Sequence, residues 1–99
     1  MVKHIVLFRL KKEIATDEKM VVMKEFKKAI EALPEKIPFI RKIEVDFNIN
    51  PDEEYDMALY SEFDTLEDVK AYSVHPDHKA AGSIIADVKE ARACVDYEI

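Results

Sequence analysis

The segment VKHIVLFRLK, which spans Val2–Lys11, determines the fold that we predict for this chain. Its side chains alternate with a period of two, which is typical of a β-strand. One face carries Val2, His4, Val6, Phe8 and Leu10, and the other carries Lys3, Ile5, Leu7, Arg9 and Lys11. Because both faces hold apolar residues in the middle of the strand, we expect a central strand that is covered on both sides.

The segment that follows is predicted to form a long amphipathic helix. Thr16 is the expected N-cap, two acidic residues follow it where they suit the helix dipole, and the helix is expected to reach about Leu33. Apolar residues recur at intervals of three and four: Met20, Met23, Phe26, Ile30 and Leu33. Pro34 and Pro38 then bracket a connection, because proline lacks an amide donor and disfavours helical geometry in the preceding residue.

Two further alternating segments predict a β-hairpin. Residues 40–50 place four apolar side chains on one face: Ile43, Val45, Phe47 and Ile49. Residues 55–64 alternate through Tyr55, Met57, Leu59, Ser61 and Phe63. The polar stretch at residues 50–54 favours a turn between them, so we expect the two strands to pair.

The last third of the chain predicts a broken helix and a final strand. Thr65 and Asp68 resemble a capping box, and Leu66, Val69 and Tyr72 give a helical face. His75-Pro76 interrupts this helix, and a second helical piece at residues 77–88 carries Ala81, Ile84, Ile85 and Val88. Residues 91–99 are expected to form a strand with Ala93, Val95 and Tyr97 on one face and Arg92, Cys94 and Asp96 on the other.

The order β-α-β-β-α-β predicts an α+β, ferredoxin-like domain, with both helices on one face of a four-stranded antiparallel sheet. Ninety-nine residues suffice for one core, so residues 1–99 are expected to form a single domain. The other sheet face is left bare and carries Ile5 and Leu7. Exposed apolar patches usually mark interfaces, so we expect two copies to pair through their sheets as a dimeric α/β barrel.

The composition argues against several classes of protein. Hydrophobic residues make up 48% and charged residues 36% of the chain, as in soluble globular proteins. Gly82 is the only glycine, which disfavours glycine-rich phosphate-binding loops. The net charge of −6 argues against a nucleic-acid partner, because binding to phosphates depends on lysine and arginine.

The single cysteine and the N-terminal sequence predict the compartment. Cys94 is the only cysteine, so it can form neither an internal disulfide nor a cysteine-based zinc cluster, and we expect a reducing cytoplasm. We also expect its side chain to be buried. The apolar run near the N-terminus alternates like a strand and has no small-residue cleavage site. We therefore predict neither a signal peptide nor a membrane span, and no membrane partner.

Five pieces of the sequence resemble the stress-responsive dimeric A/B-barrel family, often called Dabb. They are the start Val2–Lys11, the connection Leu33–Pro38, the strand at Tyr55–Phe63, the segment Tyr72–His78 and the ending Val95–Tyr97. The resemblance spans nearly the whole chain. Its most specific piece is the His-Pro-x-His run that follows a helical tyrosine.

This resemblance implies a ferredoxin-like protomer that dimerises through its sheet and holds a small pocket between sheet and helices. The family includes olivetolic acid cyclase, and by similarity its catalytic tyrosine and histidine fall on Tyr72 and His78. The ligand-binding residues expected around them are His4, Val6, Phe8, Met57, Leu59, His75, Ala81 and Gly82. Met57 departs from the cyclase pattern, which has a histidine there, and the aromatic residues expected near Ala81 and Lys89 are missing.

Histidine and tyrosine together suit proton-transfer chemistry next to a carbonyl group. An imidazole can give or take a proton at neutral pH, and a tyrosine hydroxyl can donate to a developing enolate oxygen. The run His75-Pro76-Asp77-His78 also fits a purely structural helix corner, with imidazoles bonded to freed backbone groups. Three histidines with Asp77 or Asp96 match no zinc spacing, so we predict no metal and no cofactor.

Three functions remain open from the sequence. The first is a homodimer that binds a small apolar or carbonyl-bearing molecule in the pocket. The second is a lyase or polyketide-cyclase-like enzyme that uses the tyrosine and histidine as an acid-base pair. The third is a stress-protective dimer that needs no ligand.

Overall fold

The computed structural model describes all 99 residues and contains one four-stranded sheet with its helices on one face. The strands are β1 (Val2–Leu10), β2 (Lys42–Phe47), β3 (Met57–Phe63) and β4 (Lys89–Glu98). The helices are α1 (Thr16–Glu31), α2 (Leu66–Val74) and α3 (Pro76–Ser83). The sheet order is β2-β3-β1-β4 with every neighbouring pair antiparallel, so the predicted α+β, ferredoxin-like fold is confirmed.

Strand β1 is central, as its alternating pattern predicts. It pairs with β3 on one side and with β4 on the other, so that Ile5 lies opposite both Tyr60 and Val95. The side chains on its helix-facing side are all buried: Val2, His4, Val6, Phe8 and Leu10. The side chains that alternate with them are half-buried, because no helix covers that face.

The core forms where α1 lies across the sheet. Met23, Phe26 and Ile30 are buried on one side of α1. Phe26 packs edge-on against Phe8 of β1, with ring centroids 5.4 Å apart. Burial of a side chain of this size contributes about 1.5 to 3 kcal/mol, so this stripe fixes the helix on the sheet.

The junction between α2 and α3 is a sharp corner that His75 and Pro76 create. The backbone N–H of His75 donates to the carbonyl oxygen of Tyr72 at 3.1 Å and closes α2. The His75 Nδ1 then accepts from the backbone N–H of Asp77 at 3.1 Å and caps α3, in which Pro76 is the first residue. The predicted helix break is confirmed.

The start of α2 is also as predicted. The Thr65 Oγ1 accepts from the backbone N–H of Asp68 at 3.1 Å. An N-cap of this kind contributes about 1 kcal/mol. The predicted apolar face of α2 is correct for Val69 and Tyr72 and wrong for Leu66, which is 42% exposed.

The predicted N-cap of α1 is wrong, and the helix ends two residues before the predicted position near Leu33. Ala15 occupies the N-cap position without a side-chain hydrogen bond, and Thr16 is the first helical residue. At the other end α1 stops at Glu31, because a 3₁₀ turn at Leu33–Glu35 contains Pro34 and cannot continue the α-helical bonding. Met20 lies at the edge of the buried stripe and is only partly buried.

Strand β2 is shorter than predicted. It ends at Phe47, because the Asn48 side chain bonds to both the N–H and the carbonyl oxygen of Asn50 and forms a turn. Ile49, predicted on the apolar face, lies outside the strand and is 97% exposed. Strand β3 likewise starts at Met57 rather than Tyr55.

The last two elements also begin or end earlier than predicted. Helix α3 ends at Ser83 rather than near residue 88, and β4 begins at Lys89 rather than Ala91. The face assignment within β4 is correct, because Val95 pairs with Ile5 while Cys94 pairs with Val6. Cys94 is exposed rather than buried, since β4 is an edge strand.

A β-bulge interrupts the pairing of β1 with β4. Phe8 pairs with Arg92 and Leu10 pairs with Lys89, so that β4 has one residue more than β1 across this interval. In a regular strand, residues 89 and 92 would face opposite sides of the sheet. The bulge puts Lys89 and Arg92 on the same side, opposite the helix-facing Leu10 and Phe8.

The sheet face away from the helices, which we call the open sheet face, has an apolar half and a charged half. Its β1–β4 half carries Ile5, Leu7, Ala93, Val95 and Tyr97. Its β2–β3 half carries Lys42, Glu44, Asp46, Tyr60 and Glu62, and Lys3 of β1 forms an ion pair with Glu62 at 2.7 Å. Val95 and Tyr97 are 53% and 44% exposed.

None of the helices combines the length and the apolar character needed to cross a lipid bilayer.

Candidate functional site

A cavity of about 120 Å³ lies between the sheet and the helices. Seven of the ten predicted site residues line it: His4, Val6, Phe8, Leu59, Tyr72, His78 and Gly82. Its floor is buried, whereas Ser73, Lys89 and Arg92 at its mouth are exposed. The β1 alternation and the corner after α2 thus bring the predicted catalytic pair and most of the predicted ligand-binding set together.

The other three predicted ligand-binding residues do not line this cavity. Met57 is buried but lines a separate groove next to Leu7 and Tyr55. His75 is used as the cap of α3. Ala81 lies on the side of α3 that faces α1, in a groove with Ala29.

Five lining residues were not predicted: Phe26, Ser73, Ile85, Lys89 and Arg92. The apolar periodicity identified Phe26 and Ile85 as core residues, which is also what they are. Ser73 follows Tyr72 directly. The bulge that turns Lys89 toward the helix side leaves no signal in the sequence, so this residue could not be found by alternation.

The Tyr72 hydroxyl group is buried without a hydrogen-bond partner. The residue is 0% exposed, and its oxygen contacts no donor or acceptor in the chain. Burial raises the pKa of Tyr72 far above its usual value, and the positive charge of Arg92 opposes this only in part. The hydroxyl therefore keeps its proton and is available as a hydrogen-bond donor.

His78 lies directly against Tyr72, with ring centroids 4.3 Å apart. Its Nδ1 donates to the carbonyl oxygen of Ser73 at 3.2 Å, which leaves the lone pair on Nε2. Burial lowers the pKa of His78, the Ser73 bond acts against this, and the nearby positive charge of Arg92 lowers it further. At neutral pH the imidazole is therefore uncharged, with Nε2 able to accept a proton.

His4 forms the inner wall of the cavity and is oriented by β4. Its Nδ1 donates to the Asp96 carboxylate, and the Cys94 Sγ lies 3.6 Å from the same nitrogen. The ring packs edge-on against Tyr72, with centroids 6.1 Å apart. The strand register produces this arrangement, because Asp96 is the β4 residue directly opposite His4.

One group of side chains has the composition of a metal site. A nitrogen of His4, the Cys94 sulfur and an Asp96 oxygen lie within 4.8 Å of one another, which resembles the three protein ligands of a zinc site. However, burial and the charge of Asp96 raise the pKa of the Cys94 thiol, and Arg92 lies close enough to act on it. A protonated thiol and an adjacent cation both disfavour metal binding.

Comparison with known proteins agrees with this architecture. The profile of the family described as Stress responsive A/B Barrel Domain matches residues 2–99. The chain therefore belongs to the stress-responsive A/B-barrel family, as the five sequence pieces predict. No curated protein sequence matches it significantly.

Three solved structures are similar over nearly the whole chain. A dimeric protein of unknown function with a ferredoxin-like fold from Bacteroides fragilis is 63% identical, with a TM-score of 0.97 and coverage of 99% of this chain and 95% of that one. A dimeric ferredoxin-like protein of unknown function from Thermobifida fusca is 28% identical, with a TM-score of 0.78 and coverage of 99% and 90%. A Dabb family protein from Mesorhizobium loti is 25% identical, with a TM-score of 0.75 and coverage of 99% and 95%.

The unpartnered hydroxyl of Tyr72 leads to a prediction about stability. Tyr72→Phe should leave the free energy of unfolding unchanged or raise it by up to about 1 kcal/mol, because a buried group without a partner is costly. The matched variant is Ser61→Ala, since the buried Ser61 hydroxyl does have a partner, the His4 carbonyl oxygen at 3.2 Å. It should lose about 1 kcal/mol, or about 4–8 °C in a thermal melt.

Urea titrations of both variants measure this difference. A loss of more than 1 kcal/mol in Tyr72→Phe would show that the hydroxyl does form a hydrogen bond within the folded chain.

Proposed function

We propose that this protein is a homodimer that binds a small carbonyl-bearing molecule in the cavity between its sheet and helices. The observation that carries this proposal is the buried hydroxyl of Tyr72, which has no partner in the chain and belongs to a residue that lines the cavity. A ligand with an acceptor oxygen would satisfy this donor. Binding would thereby recover the free energy that the isolated chain loses by burying the hydroxyl.

The dimensions of the cavity limit the ligand. An apolar cavity of about 150 Å³ in another protein holds benzene, so a space of about 120 Å³ suits a molecule of roughly six non-hydrogen atoms. The walls are mainly apolar, formed by Val6, Phe8, Phe26, Leu59 and Ile85. These features favour a small molecule with an apolar part and one carbonyl group.

The only glycine of the chain supports the same proposal. Gly82 lies in α3 without a positive φ, so the backbone does not require glycine there. A Cβ at this position would meet no atom within 4 Å. Alanine would stabilise the helix by about 1 kcal/mol. The physical effect of having glycine here is extra room at the cavity wall.

The open sheet face supports the homodimer. Val95 and Tyr97 expose apolar surface beside Ile5 and Leu7, and a second copy would remove this surface from water. The Bacteroides fragilis protein, which is 63% identical, is dimeric. We propose that this chain pairs through the open sheet face. We further propose a reducing cytoplasm as its compartment, because Cys94 is a free, exposed thiol.

A charge placed on this face should separate the dimer. Val95→Lys should give a folded monomer, because a lysine is easily solvated on a free strand but would be buried without a partner between two sheets. The control is Val74→Lys, which makes the same replacement at the end of α2, where Val74 is 65% exposed. Sedimentation equilibrium at micromolar concentration should report a monomer for the first variant and a dimer for the second; two dimers would contradict pairing through this face.

Carbonyl binding should be visible in the NMR spectrum of Gly82. This residue gives the only glycine amide signal of the chain, and it lies on the cavity wall. Titration with pyruvamide, a neutral ketone of six non-hydrogen atoms, should shift that signal. Tyr72→Phe should weaken binding about fivefold to tenfold through loss of one hydrogen bond.

The control for this titration is Tyr55→Phe, because Tyr55 lies outside the cavity beside Arg9. It should bind pyruvamide as the unaltered chain does. If neither pyruvamide nor 2-butanone moves the Gly82 signal, a protective dimer without a ligand becomes the better hypothesis.

The contact between Tyr72 and His78 favours a second candidate function, a lyase or cyclase-like enzyme. The His78 Nε2 would remove a proton from the carbon next to the carbonyl group of the ligand. The C–H electron pair would form the C=C bond of an enolate, and the Tyr72 hydroxyl would donate a hydrogen bond to the enolate oxygen. The distance of 4.3 Å between the centroids of the two rings supports this pairing of base and donor.

Proton removal can be tested without knowing the natural substrate. In D₂O, the protein should accelerate exchange of the pyruvamide methyl protons, and His78→Gln should abolish the acceleration while pyruvamide still binds. Because the pKa of His78 is lowered, the base stays active as the pH falls through 6.5 and loses activity only at lower pH. Equal exchange rates in the variant, measured by proton NMR, would remove His78 as the base.

A further inference from the structure

The mouth of the cavity carries two cations that the β-bulge places together. Lys89 and Arg92 both line the cavity, although residues three apart on a regular strand point to opposite faces. The extra residue in β4 turns Lys89 to the side of Arg92. Bulges of this kind commonly re-aim side chains at binding sites.

Neither cation is neutralised by the chain itself. The protein has 21 acidic residues and only three arginines, and both other arginines form ion pairs: Arg9 with Glu54 and Glu90, and Arg41 with Asp64. Arg92 and Lys89 form no ion pair, and the nearby Asp96 carboxylate is bound to His4. In a chain with a net charge of −6, two unpaired cations at one cavity mouth favour an incoming anion.

The two ends of the cavity therefore differ in chemistry. The mouth offers positive charge, the interior offers the Tyr72 hydroxyl as a donor, and the walls between them are apolar. Arginine is well suited to a carboxylate, because its planar guanidinium binds both oxygens at once. The positive charge of Arg92 also reaches the interior, since it acts on the pKa values of Tyr72 and His78.

We propose that the ligand of this cavity is a small oxo acid, with its carboxylate held by Arg92 and Lys89 at the mouth and its carbonyl oxygen held by the Tyr72 hydroxyl inside. This assignment rests on the proposed function, because it names the chemical class of the carbonyl compound that the cavity binds. It requires six or seven non-hydrogen atoms, which matches a volume of about 120 Å³.

The test compares pyruvate with pyruvamide, two ligands of the same size that differ in charge. At pH 7.5 and low salt, pyruvate should shift the Gly82 amide signal at a concentration at least tenfold lower than pyruvamide. Arg92→Met should remove this difference, because pyruvate would lose the charge that favours it over pyruvamide. Lys89→Met should reduce the difference in part.

The matched control is Lys79→Met, because Lys79 is an exposed lysine of α3 that does not line the cavity. It should preserve the tenfold preference for pyruvate. Inorganic phosphate, an anion without a carbonyl group, should bind more weakly than pyruvate, and its affinity should not respond to Tyr72→Phe.

The outcomes separate this inference from the proposed function. Equal affinity for pyruvate and pyruvamide, an unchanged preference in Arg92→Met, or phosphate binding as tight as that of pyruvate would each overturn the oxo-acid assignment while carbonyl binding stands. Absence of any shift with both pyruvate and pyruvamide would overturn both.

Discussion

The site depends on the break in the helix at His75-Pro76. Tyr72 and His78 are six residues apart, and on one continuous α-helix they would lie about 120° apart around the axis, on different faces. The corner ends α2 after Val74 and starts α3 at Pro76 in a new direction, which brings the two rings to 4.3 Å. His75 makes this turn stable by capping α3 through its Nδ1, so its role at the site is indirect.

The sequence predicts most of the fold because its signals are local. The alternation of β1 identifies a central strand, and the Thr65 cap and the Pro76 corner are set by residues within three positions of each other. Predictions fail where neighbouring elements decide the outcome. Ile49 alternates correctly but lies beyond the Asn48 turn, and Cys94 has the character of a core residue but lies on an uncovered edge strand.

The candidate site divides in the same way. Its interior residues lie on the buried face of β1 and at the helix corner, so His4, Tyr72 and His78 can be predicted from the sequence. The residues at its mouth depend on how β4 pairs with β1. In the sequence, a charged residue of an edge strand is indistinguishable from an ordinary solvated surface residue. Met57 is the reverse case: it corresponds to a site position in the family, but in this chain it lines a separate groove.

The bulge in β4 also decides how many positive charges face the cavity. If β4 paired regularly with β1 to its end, Glu90 would lie opposite Leu10 and Lys89 would turn to the open sheet face, while Arg92 stayed in place. The number of cations at the mouth would then fall from two to one with no substitution at all. In this fold, a shift of one residue in the strand register can alter ligand preference while the core remains untouched.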